Sequence, residues 1–211
     1  MTAIRVPPGR AGLLWLRHRL EAATRGAALL EQKLRILRQE ERRLALLVQH
    51  SGEEWEAGVR DAETWLLRAA LAGGQQSVEQ GVADGPATVT LMWASTMGVS
   101  YPAEAICAFP GRGPGSAAVL GGAALIRAEA AYRDAADAAV RHAAALAAVR
   151  ALGAETAATR QRARALRRHW IPRLDAALAA TQLGLDEQEH AEGVQRRWAA
   201  GAQQASGEAE Q

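Results

Sequence analysis

The sequence predicts a mainly α-helical protein: a long antiparallel two-helix coiled coil with a small β-hairpin insert between the helices. Three observations carry this. Ala, Leu, Arg, Glu and Gln dominate outside one central segment, and these are strong helix formers, whereas only 4% of the residues are aromatic. From about Leu13 to Ala69, steps of alternately three and four residues land mostly on apolar side chains, which is the stripe of a coiled-coil helix. Between residues 77 and 122 the chain turns β-branched and rich in Gly and Pro, and a second helical run follows.

The chain opens with an extended lead-in over 1–10, where Pro7 and Pro8 fix φ and bias their predecessors away from helix. The first helix is expected over 11–71. Its stripe runs through Leu13, Leu16, Leu20, Ala23, Ala27, Leu30, Leu34 and Leu37, passes Glu41, and continues with Leu44 and Val48. Ser51, Trp55, Gly58, Ala62, Trp65 and Ala69 keep the same count. At about 1.5 Å per residue, such a run makes a rod roughly 90 Å long. A helix with one narrow apolar stripe needs a partner, and the second run supplies one. Gly26, Gly52 and Gly58 each cost about 1 kcal/mol against Ala, which suggests close approach of a neighbouring backbone. Ala72-Gly-Gly-Gln is the expected stop.

The insert is expected over 72–122. Residues 87–93, 97–102 and 105–109 are its candidate strands, and Pro110 to Gly115 reads as loop. Two strands alone are marginal, so the insert should rest on the helices or on another polypeptide. The second helix is expected over 123–200, with a poorer stripe of Leu125, Tyr132, Ala136, Ala139, Ala143 and Leu146, then Leu166, Trp170, Leu174, Ala177, Thr181 and Leu185. Pro172 should kink it. Residues 201–211 are small, polar and acidic, and read as a disordered tail.

Charge and motifs narrow the function. The net charge of +2 is too small to argue for nucleic-acid binding. Residues 1–50 hold ten Arg/Lys against four Glu, and residues 141–175 hold eight Arg against two acids, so each stretch carries +6. Residues 176–211 hold two Arg against six acids, giving −4. A basic belt forms if the two basic stretches lie side by side. Single Cys107 excludes an internal disulfide framework and reads as a small apolar residue. No apolar run long enough to span a membrane occurs, nor any leader-like segment, so a soluble cytoplasmic protein without membrane insertion is expected. Nothing points to catalysis. Gly111-Arg-Gly-Pro-Gly115 lacks the Lys-Ser/Thr of a phosphate cradle, and Asp186 with His190 supplies only two metal ligands. Neither a cofactor nor a metal is expected.

Three motifs then stand in order along the chain. The first helix reads Pro8-x-Arg10-x-x-Leu13, then Leu20-x-x-Ala23-x-Arg25-Gly26-x-x-Leu29-Leu30-x-x-Lys33-x-x-x-Leu37. The insert holds Ser95-Thr-Met97-Gly98-Val99-x-x-Pro102, and the last helix holds Arg164-Ala-Leu166 followed by Ile171-Pro172. This order resembles the D subunit of the V-type and A-type ATPases and ATP synthases. In that family the middle motif is usually Asn-Val-Met-Gly-Val-x-x-Pro and the last Asn-Ala-Leu…Ile-Pro. Here Ser95 and Thr96 replace Asn-Val, Tyr101 replaces a small aliphatic, and Arg164 replaces Asn.

The resemblance implies a non-catalytic central rotor shaft. Its terminal segments would run into a head of alternating A and B subunits, and its lower end would join the small F subunit and the adaptor on the membrane ring. It implies that Arg10, Arg17, Arg25, Arg164, Arg167 and Arg168 face the head, where charge attraction with little steric register suits a turning contact. Met97, Gly98, Val99 and Pro102 would pack on the shaft or on the F subunit. The rival reading is a generic coiled-coil scaffold. The gamma rotor of F-type enzymes is excluded by the short insert, since about 45 residues are too few for its α/β domain.

Overall fold

The computed structural model describes residues 4–79, 85–110 and 122–208. Helix α1 spans Gly9–Glu79, strands β1 (Thr88–Thr96) and β2 (Val99–Ala108) form an antiparallel hairpin, and helix α2 spans Gly122–Ala165. A π-helical turn, Leu166–Trp170, joins α2 to helix α3, Ile171–Glu208. Regular geometry in α1 breaks at Gly74, whose φ of 72° and ψ of 169° leave the helical region, so the expected Gly-Gly stop is a kink and the helix resumes to Glu79. The backbone of the expected tail continues α3 to Glu208. The Gly-Pro loop at 111–115 lies outside the described residues.

Contacts divide the chain into two units, Lys33–Ala158 and Met1–Gln32 with Thr159–Gln211. In the first, α1 and α2 run antiparallel: Lys33 pairs with Glu155 at 2.8 Å, Ser51 meets His142 at 3.0 Å, and Gly58 faces Ala135. Leu34, Leu37, Leu44, Ala62 and Ala69 of α1 are buried, as are Leu125, Ala128, Ala135, Ala148 and Leu152 of α2, and Leu44 packs with Ala148 and Leu152. Each fully buried Leu contributes on the order of 2 kcal/mol. In the second unit Leu16 and Ala27 of α1 are buried, as are Thr159, Ala163 and Leu174 of the returning chain. There Arg10 pairs with Glu189 and Arg167 with Glu31.

The stripe on α2 falls one residue earlier than its large side chains suggest. Ala131, Ala135, Ala138 and Ala145 are buried, whereas Tyr132 is 40% exposed and Ala143 is exposed. Close packing is the reason: a Cβ added at Gly58 would lie 3.3 Å from the Ala135 Cα, and no ring fits into such a gap. Gly58 thus admits a neighbouring backbone, whereas Gly52 leaves space for the His142 ring and Gly26 faces only the end of Leu166.

Candidate functional site

The insert motif builds the turn of the hairpin and fastens it to the helices. Met97 and Gly98 both have positive φ, 53° and 79°, which a two-residue hairpin loop needs to match the strand twist. The register runs from Thr96 opposite Val99 to Thr88 opposite Ala108, with an irregularity at Met92/Trp93 that leaves Ala103 unpaired beside Pro102. Pro cannot donate to a ladder and sits in strands at such places. The expected second and third strands are therefore one strand, β2.

Tyr101 anchors this hairpin. Its side chain is 3% exposed and packs in one cluster with Leu44, Ala148 and Leu152, with Ala94 and Val99 against it. Its hydroxyl donates to Glu40 Oε1 at 2.8 Å and lies 3.2 Å from the Thr96 hydroxyl. Arg43, one turn along α1, grips the same carboxylate through Nε (3.0 and 3.1 Å) and Nη2 (2.7 Å). The hydrogen bond from Arg43, helped by that from Tyr101 and opposed by burial, holds the Glu40 carboxyl below its ordinary value, and Glu40 holds the Arg43 guanidinium above its own. Further along, the Cys107 N–H donates to Asp137 Oδ1 at 3.3 Å, and Asp137 pairs with Arg141. A groove of about 510 Å³, lined among others by Arg43, Ser51, Ile106 and Arg141, runs beside this contact. Elsewhere the hairpin leaves apolar side chains uncovered: Leu91, Met92 and Met97 are exposed, and Trp93 is 65% exposed.

The expected seam residues divide. Leu16, Leu34, Leu37, Leu44 and Leu174 are buried; Leu13, Leu20, Ala23, Leu30, Val48 and Leu166 are half-buried. Trp55 is partly exposed and stacks on His142, ring centres 5.7 Å apart. Trp170 departs from the seam altogether, being 47% exposed, because the π turn rotates it outward. Of the basic residues, Arg25 pairs with Glu21 at 3.3 Å, and Arg10 with Glu189 at 2.6 Å, which raises the Arg10 pKa. Arg17, Arg164 and Arg168 are exposed. Asp186 and His190 are not brought together with a third ligand: no cluster of three metal-ligating side chains occurs among the described residues.

The node of Glu40, Arg43 and Tyr101 is absent from the sequence expectations, as is Ser51 with His142. The Tyr at 101 in place of a small aliphatic is the one sequence signal that pointed there.

Long antiparallel helices with a hairpin docked on their side fit the motif order read from the sequence. The family model for the D subunit of ATP synthase matches residues 12–200. The chain belongs to this family. It is a central-stalk component of a rotary ATPase, a structural part of a complex with other ATP synthase subunits. The match runs from the first turn of α1 through the hairpin and well into α3. A comparison with curated proteins finds no match. No helix among the described residues is long and apolar enough to cross a membrane.

Proposed function

We propose that this chain is the non-catalytic rotor shaft that couples ATP hydrolysis or synthesis in the head to proton or sodium movement across the membrane. The observation that carries the reading is the family match over both long helical runs and the hairpin. Its partners are the catalytic A and B subunits, the F subunit and the membrane-ring adaptor, and it works at the cytoplasmic face of the membrane without entering it. Coiled-coil helices with leucines such as Leu37 and Leu44 fully buried resist torsion. Arg10, Arg17, Arg25, Arg164, Arg167 and Arg168 face the head and slide between equivalent acidic partners.

Reversing Arg17, Arg164 and Arg168 to Glu should leave the protein helical and lower ATP-driven ion pumping per ATP hydrolysed in the reassembled enzyme. Unchanged pumping would remove the belt from the reading. ATP hydrolysis that remains fully coupled when this chain is left out would remove the shaft itself.

A further inference from the structure

Trp170 stands on the wrong side of its helix for a seam residue. Heptad counting groups it with Ala163 and Leu174, and both of those are buried. The π turn takes it out of that group. The Ile171 N–H donates to the Leu166 carbonyl across five residues, and Pro172, which has no N–H, follows at once. Turns of this kind are rare and concentrate at functional sites. An indole left 47% exposed forgoes burial that the seam would have given it.

Its surroundings are cationic. The Arg173 guanidinium lies 5.8 Å from the ring centre, and Arg168 and His169 are exposed beside it. The nearby acid on α1, Glu31, is already paired with Arg167. Trp and Arg are the side chains that most often dominate binding energy at protein interfaces.

We propose that Trp170 is the apolar anchor of a docking surface on the π turn, whose occupant is an acidic protein surface with an apolar slot for the indole. The inference rests on the head-facing reading of this segment, which puts that slot on the ring of A and B subunits. Charge complementarity selects an acidic partner. A protein rather than a nucleic acid is favoured because the segment lies within the match to the D-subunit family, whose members sit among other ATP synthase subunits.

The test is the affinity of the full-length protein for the isolated ring of A and B subunits, read by interferometry at two salt concentrations. Trp170→Ala should weaken binding at least about tenfold, and Trp170→Phe should restore most of it. Arg168→Glu should weaken binding and flatten its salt dependence. Circular dichroism should find all three as helical as the parent. Trp170→Ala binding within about twofold of the parent overturns the docking surface. If Arg168→Glu still weakens binding in that case, the head-facing reading stands without it. No change in any variant, or no binding by the parent, overturns both. Tighter binding of the parent to a short single-stranded RNA than to the ring, lost in Trp170→Ala, would make this a nucleic-acid surface and overturn the proposal.

Discussion

At the residue scale, Tyr101 does two jobs with one side chain, filling the cluster with Leu44 and Leu152 and donating to Glu40. Tyr101→Phe keeps the first and removes the second. It should destabilise the protein by about 1–2 kcal/mol in denaturant melts and raise amide exchange in β1 and β2 first. The Glu40 side chain is 20% exposed, and its folded pKa lies below the ordinary value of 4.5. The stabilisation is present above that ordinary value and fades as pH falls through the folded pKa. Glu40→Gln should therefore flatten the acid limb of a stability–pH curve, and an unchanged limb would mean that other carboxyls set it. Thr156 is the converse case, with a buried hydroxyl that has no partner. Thr156→Val keeps the shape and drops the cost, so a gain of about 1 kcal/mol in melting free energy is expected.

At the element scale, the stripe of α1 was legible because Leu16, Leu34, Leu37 and Leu44 are large enough to mark its phase. The phase of α2 was not. Alanines occupy both the buried positions and their neighbours, so Tyr132 and Leu146 pulled the reading one residue late. What sets the phase is contact with α1, above all the approach of Ala135 to Gly58, and a single helix carries no record of its partner. Gly58→Leu should overpack that contact and cost about 1–3 kcal/mol in the same melts. The hairpin was legible in part. Met97-Gly98 marks a turn, but joining the two expected strands through Pro102 needed a bulge that only the strand pairing reveals. Trp170 misled for a related reason. Heptad counting assumes an α-helix throughout, and Pro172 breaks the hydrogen-bond ladder where the count is taken.

At the scale of the whole molecule, the chain devotes itself to two long helical runs and one docked hairpin, and the family match covers all of them. Such a chain does its work through what it holds and what turns it. The central claim is thus best tested by tagging the protein in its native cells and identifying, by mass, what co-purifies in fixed ratio. The shaft reading predicts the A and B head subunits together with the F subunit and the membrane-ring adaptor. Recovery of a homodimer or of unrelated partners, with the ATPase absent, would contradict it.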